Sequence, residues 1–154
     1  QRYEKMNSGN EIFSYFHPIH IRFSDLDAQK HVNNAVYLTY LESARLGYYQ
    51  TTGIWDKHSG ANTGMVVAHI DIDYVEPIFL GHDIEVGLRM VRLGNKSMTL
   101  AFQINALEGT QVFARGEAIL VVFDDAAEKS VPIPVEWRDR ITQFEKQKGN
   151  DEIT

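Results

Sequence analysis

Six polar residues crowd one short stretch of the chain: Asp25, Asp27, Gln29, His31, Asn33 and Asn34. They fall between an alternating segment that reads as a strand and a long apolar segment that reads as a helix. A helix start presents unpaired backbone N–H groups and a partial positive charge. Such groups can hold a carbonyl oxygen as it becomes an oxyanion. A carboxylate in the same loop can activate water or attack the carbonyl itself. The chain has no cysteine, so no thiol nucleophile exists, and no serine stands in a nucleophile-elbow motif. A carboxylate is therefore the candidate for cleaving an activated acyl group.

Each of these residues also has a plainer reading. Asp27 could simply bond its own backbone, as loop aspartates do. Asp25 could fix the loop, Asn33 could cap the helix, and His31 could be an ordinary hydrogen-bonded histidine. Glu42 could be an acceptor behind the site or a partner for Arg45 on the helix. His69 and Asp71 share a strand face that lines a pocket or meets solvent. His17 and His20, on a strand, would point to opposite faces, and no carboxylate cluster completes a metal site with them. His58 and His82 carry no signal of their own.

The elements that must position these residues follow from periodicity. His17 to Ser24 alternates as a strand and ends at Asp25-Leu26-Asp27. A helix is expected from about Asn34 to Thr51, with Gly53 as its stop. Its residues leave almost no polar face, which predicts burial all round. From Gly64 the period becomes two: Val66, Ala68, Ile70, Ile72 and Tyr74 oppose His69, Asp71 and Asp73, and Pro77 ends the strand. Ile84 to Met90 and Met98 to Ile104 alternate around a hairpin signal at Gly94 and Asn95. Glu108 and Gly109 mark the next turn, and Val112 to Phe123 reads as a long, central strand. Pro134 suits a first helical position, and Trp137, Ile141 and Phe144 lie on one face of the helix that follows. The order is strand, buried helix, four-stranded antiparallel meander and packing helix, an α+β domain in which the sheet wraps the helix. Apolar residues on both strand faces, such as Phe113, Ile119 and Val121, call for a second cover, supplied by a dimer or higher oligomer.

Composition bounds the reading. The 154 residues suit one domain, and 44% hydrophobic residues suffice for a core. Residues 1–16 read as an N-terminal arm or expression remnant, 17–148 as the domain, and 149–154 as a tail that frays. A net charge of -6 disfavours nucleic acid as a partner. No apolar run approaches a membrane span. Lack of cysteine fits a reducing, cytoplasmic setting.

The run Arg22-Phe23-Ser24-Asp25-Leu26-Asp27, then His31-Val32-Asn33-Asn34, Tyr37, Tyr40-Leu41-Glu42 and Ala44-Arg45, resembles the signature of hotdog-fold thioesterases. The similarity is to 4-hydroxybenzoyl-CoA thioesterase-like acyl-CoA hydrolases and to plant acyl-carrier-protein thioesterases. It extends through Asp73-Tyr74, Pro77, Gly81-His82-Asp83, the Gly94–Ser97 turn and Pro132 to Trp137. It implies a hotdog fold: an antiparallel five-stranded sheet around a long central helix, plus a C-terminal helix. It implies hydrolysis of an acyl-CoA thioester, with Asp27 as base or nucleophile and the Asn34 N–H on the carbonyl. His31, Gln29 and Glu42 would orient water or the aspartate. Gln29 stands where the plant branch has asparagine, and Lys30 where many relatives have a small residue. Substrate contacts are expected from Asn33, Tyr37, Val67, His69, Arg92 and Lys96, and phosphate contacts also from Arg89 and Arg115. The pantetheine arm would run along a subunit interface of a homodimer or homotetramer, with no metal or cofactor. Two other readings stay open: acyl-carrier-protein thioester hydrolysis, and acyl-CoA binding without turnover.

Overall fold

A computed structural model describes residues 13–55, 63–108 and 110–154. The N-terminal stretch to Glu11, most of the Trp55–Thr63 loop with His58, and Gly109 of the expected turn lie outside the described residues. The chain is α+β. Strand β1 (Tyr15–Ile19) is followed by a 3-10 turn (Phe23–Asp25), helix α1 (Val36–Thr52), and strands β2 (Thr63–Tyr74), β3 (Ile84–Leu93), β4 (Ser97–Ala106), β5 (Val112–Asp124) and β6 (Lys129–Ser130). Helix α2 (Val135–Gln147) ends the series. The sheet is antiparallel in the order β1-β3-β4-β5-β2, with the two-residue β6 pairing β5. This is the hotdog arrangement.

Several expectations are corrected. The strand from His17 to Ser24 stops at Ile19, because the Asp25 carboxylate accepts the Arg22 N–H at 2.9 Å and folds the chain into a tight turn. Pro18 sits in β1 without cost because β1 is an edge strand, where an N–H can be missing. The four later strands are no simple meander: β3, β4 and β5 are consecutive neighbours, while β2 returns to the far edge of β5. That puts β4 in the middle and leaves β5 interior as expected, paired on both sides by β4 and β2. In β2 the register shifts between Val67 and His69. The extra residue of this bulge flips the alternation, so Val66 parts from the face of Ile70 and Ile72.

Helix α1 begins at Val36, with Asn34 and Ala35 in a turn before it. It is not buried all round. Tyr37, Tyr40, Leu41, Ala44 and Tyr48 pack inward at helical spacing. Leu38, Thr39, Glu42, Ser43 and Leu46 face outward. Gly53 caps the helix in the left-handed conformation, φ 78°, with its N–H on Tyr49 O. Gly47 lets α1 lie against β1: a side chain there would overlap the Tyr15 hydroxyl and come within 2.8 Å of His17 Nδ1.

Pro134 takes the N-cap of α2, one residue before its expected place. Ile141 is fully buried and Trp137 and Phe144 pack beside it. The end of the chain does not fray. Asn150 is buried and donates to Met90 O at 2.9 Å, and the Thr154 N–H reaches Val91 O at 3.2 Å. These groups cover β3 above the point where β1 stops.

Candidate active site

The loop after the 3-10 turn is closed by its own backbone. The Asp27 N–H donates to His31 O at 2.7 Å, and the Lys30 N–H donates to Asp27 O at 3.0 Å. Asp27 Oδ1 accepts the N–H groups of Gln29, at 2.8 Å, and His31, at 3.2 Å. The backbone role expected of a loop aspartate is thus filled by one oxygen. The other, Oδ2, has no partner among the described residues and the side chain is exposed. Lys30 holds φ 65°, a left-handed conformation that costs a residue with a Cβ roughly 1–2 kcal/mol.

Long-range contacts then fix this loop in space. The Val32 N–H donates to Ile78 O at 2.8 Å, and His31 bridges to Phe79. The His31 ring meets the Phe79 ring edge-on at 4.8 Å. The Asn33 N–H donates to Asp25 O at 2.8 Å. Asn33 Oδ1 accepts the Ala35 N–H at 2.9 Å, and Asn33 O accepts the Val36 N–H at 2.9 Å. Asn33 therefore caps the turn that leads into α1. The N–H of Asn34 has no acceptor among the described residues, although its neighbours on both sides are engaged. The Asn34 carbonyl accepts the Tyr74 hydroxyl at 3.1 Å, and Tyr37, buried, meets the Tyr74 ring edge-on at 4.9 Å.

Asp25 anchors the assembly from below. Its side chain is buried and accepts the Tyr40 hydroxyl at 2.7 Å and the Arg22 guanidinium at 3.0 Å. Burial pushes its carboxyl up, but the bonds from the Arg22 backbone, Tyr40 and the Arg22 side chain outweigh that and hold it below its ordinary value. A depressed folded value means this stability is present above the unfolded carboxylate range, about pH 4, and is lost as pH falls through the folded value. Tyr40→Phe is expected to cost about 2 kcal/mol, as for other hydrogen bonds to a charged group. It should also shrink the acid-dependent loss, which still begins near pH 4 but ends at a higher pH because the folded Asp25 value moves toward the unfolded one, about 4. Urea melts between neutral and acid pH check both; identical pH profiles for variant and wild type would refute the second.

Two clefts meet at Asp27. One, about 510 Å³, is lined by Phe23, Leu26, Asp27, Lys30, Phe79 and Leu80. The other, about 320 Å³, takes its walls from Asp27, His31, Asn34, Tyr37, Tyr74 and Glu76 among others. Asp27, His31, Asn34 and Tyr37 are therefore brought together. Gln29 contributes its backbone N–H to the loop and exposes its side chain. Glu42 is not at either cleft. It faces outward on α1, eight residues beyond Asn34 in sequence, or about 12 Å along the helix. Arg45 turns inward instead. Burial pushes the neighbouring Tyr49 phenol up to about 12, against the pull of Arg45. Val67 and His69 are exposed on β2, well before Tyr74. Arg92 and Lys96 lie at the opposite end of the β3–β4 hairpin, about 30 Å along β3 from its start near the site.

A third cleft, about 250 Å³, is lined by His17, His20, Arg22, Thr39, Tyr40 and Ser43 among others. The two histidines, expected on opposite faces, share it because the strand ends between them. Burial pushes the His17 imidazole down. Among the described residues no group of three or more His, Cys, Asp or Glu side chains is arranged to hold a metal ion.

Sequence reading missed the walls of the larger cleft and the Tyr40–Asp25 anchor. The available signal was the apolar run Ile78-Phe79-Leu80 directly after a strand-ending proline.

Residues 21–141 match the model of the thioesterase-like superfamily. The long-chain acyl-CoA thioesterase FadM of Escherichia coli is 30% identical over 128 residues, covering 83% of this chain and 97% of that protein. A 1,4-dihydroxy-2-naphthoyl-CoA hydrolase of Crocosphaera subtropica is 29% identical over 86 residues, 54% of this chain and 63% of that one. A Thermus thermophilus thioesterase, solved in complex with coenzyme A and zinc, superposes with a TM-score of 0.75 at 34% identity, covering 87% of this chain and 96% of that one.

Proposed function

The chain belongs to the thioesterase-like superfamily and is a thioester hydrolase by that membership; we propose that it cleaves acyl-CoA thioesters to free acid and CoA, with Asp27 as the catalytic carboxylate. The carrying observation is that the unengaged Asp27 carboxylate oxygen and the unpaired Asn34 N–H belong to residues lining one cleft. As general base, Asp27 takes a proton from water, and the resulting hydroxide adds to the carbonyl carbon. The oxyanion accepts the Asn34 N–H. Collapse of the adduct breaks the C–S bond, and the CoA thiolate leaves and is protonated. As nucleophile, Asp27 would add to the carbonyl carbon and expel the CoA thiolate, which is protonated, leaving an acyl anhydride that water opens to the free acid and the regenerated carboxylate. Neither route requires a metal or cofactor. The Gln29 and His31 backbone N–H groups hold Asp27, and the His31 ring braces the loop on Phe79. Asn33 orients the turn, and Tyr37 packs behind it.

The name of the Escherichia coli relative supports CoA over a carrier protein. We also propose a homodimer or homotetramer. Strand β2 is an edge strand with Val66, Val67 and Tyr74 exposed, and an uncovered edge invites a second copy. In such an assembly Glu42, Val67, His69, Arg92 and Lys96 would meet substrate from a neighbouring copy. No helix among the described residues is long and apolar enough to cross a membrane.

The test is thiol release by the purified chain from a panel of acyl-CoA thioesters and from acyl-carrier-protein thioesters of matched length. Faster release from CoA is expected. Acyl-CoA that binds and stays intact for hours would overturn the hydrolase reading.

A further inference from the structure

The two clefts that meet at Asp27 differ in chemistry, and so do the two limbs of an acyl-CoA thioester. Resting on the acyl-CoA reading above, we infer that the larger cleft receives the acyl chain, that this chain is an extended aliphatic one, and that Leu80 and Phe23 set the length accepted. The smaller cleft takes the pantetheine arm.

The larger cleft has apolar walls. Phe23 is 81% exposed, Leu80 50% and Phe79 42%, and all three line one concavity with Leu26. A volume of about 510 Å³ lies within the range of small-molecule sites. Each methylene that enters gains about 0.8 kcal/mol, so an alkyl chain matches these walls. A hydroxylated aromatic acyl group matches them poorly, because each buried hydroxyl needs a partner. Among the described residues that line it, the polar ones are Lys30 and Asp27, and one Asp27 oxygen is already bonded to the loop. The smaller cleft is more polar, although Val32, Val75 and Pro77 also form part of its walls. Tyr74, Asn34 and Glu76 are among its lining residues, types that supply acceptors and a donor for the pantetheine amides, and one Glu76 oxygen already accepts the Gln111 amide at 2.6 Å. With the limbs so divided, the carbonyl lies at the junction, beside Asp27.

The test follows the wild type, Leu80→Trp, which fills the cleft, and Phe23→Ala, which widens it. Each is assayed on saturated acyl-CoA thioesters from acetyl to stearoyl. Binding of S-alkyl-CoA thioethers, which cannot be hydrolysed, is measured by calorimetry on the same proteins. In Leu80→Trp the ratio of kcat/KM for palmitoyl over acetyl is expected to fall at least about tenfold, the low end for one misfitted group in an apolar pocket. Phe23→Ala should move the optimum toward longer chains. Thioether affinity should rise with alkyl length in wild type and lose that rise in Leu80→Trp. Chain-length profiles parallel in all three proteins would overturn the assignment while leaving the hydrolase reading intact. A higher turnover on hydroxyaryl-CoA than on any alkyl-CoA would also overturn it. Length-dependent thioether binding without hydrolysis would keep the pocket and remove the hydrolase reading. A change of oligomeric state in Leu80→Trp with an unchanged profile would assign these walls to a second copy of the chain and overturn the proposal.

Discussion

Asp27→Asn is expected to lower kcat for acyl-CoA hydrolysis by about 10²–10⁴-fold, the range for removing a general base, with a much smaller change in KM. The substitution is well matched to the loop. An asparagine Oδ1 can still accept the N–H groups of Gln29 and His31, as Asp27 Oδ1 does at 2.8 and 3.2 Å. The five-residue turn from Asp27 to His31 therefore keeps its closure. Only the second oxygen becomes an amide, which can neither take a proton from water nor attack a carbonyl. Stability should accordingly change by less than about 1 kcal/mol, as for substitutions outside the core, so a lost rate cannot be ascribed to unfolding. Single-turnover hydrolysis in oxygen-18 water divides the two routes: label reaching the Asp27 carboxylate identifies the nucleophile. A variant within threefold of wild type in kcat would remove Asp27 from the chemistry.

The largest stability effect is expected at Glu145, on α2. This side chain is fully buried. Its Oε1 accepts the Tyr48 hydroxyl at 2.6 Å, the Met90 N–H at 2.7 Å and the Ser14 hydroxyl at 2.9 Å, and its Oε2 accepts the Asn150 amide at 2.9 Å. The Ser14 proton has an alternative acceptor in Leu88 O at 3.0 Å, but the other donors are committed. Met90 is the point where β3 outruns β1, whose pairing with β3 stops at Tyr15 and Leu88. Glu145 takes the Met90 N–H, and Asn150 donates to the Met90 carbonyl at 2.9 Å. Two side chains thus replace a missing strand neighbour.

Glu145→Leu leaves these donors buried and unpaired, and a loss of about 3–5 kcal/mol is expected, as when one partner of a buried polar cluster is removed. Against a typical total of about 5–15 kcal/mol, that could prevent folding at ambient temperature. Glu145→Gln provides the graded case. Its carbonyl still serves Tyr48 and Met90, but its amide meets the Asn150 amide donor to donor. Turning Asn150 over would set its oxygen against the Met90 carbonyl. A loss of about 1–3 kcal/mol is expected there. The readout is the urea midpoint at constant m-value. A Leu variant within about 1 kcal/mol of wild type would refute the role.

The Asp27 loop was legible because its bonds are local: they close between residues 27 and 31 and again between 33 and 36. The motif that signals a hotdog thioesterase sits in that same stretch. Glu145 left a fainter trace. It stands four residues after Ile141 and eight after Trp137, on the apolar face of α2, where a carboxylate has no reason to be unless partners wait for it.

What the sequence by itself determined is what depends on near neighbours: the helices, most strands, the local closure of the Asp27 loop and a turn at Asn33 before α1, although the N-cap itself is Ala35 rather than the expected Asn33. Hydrogen bonding and side-chain period act over a few residues, and the chain carries that information in order. Only the tertiary structure decided which strands pair, since β2 joins β5 across an intervening hairpin. It also decided that the bulge after Val67 turns one face of β2 over, and that Phe79 and Leu80 close a cleft with Phe23. Those outcomes depend on contacts between residues dozens of positions apart, where one chain position constrains another only after the sheet has formed.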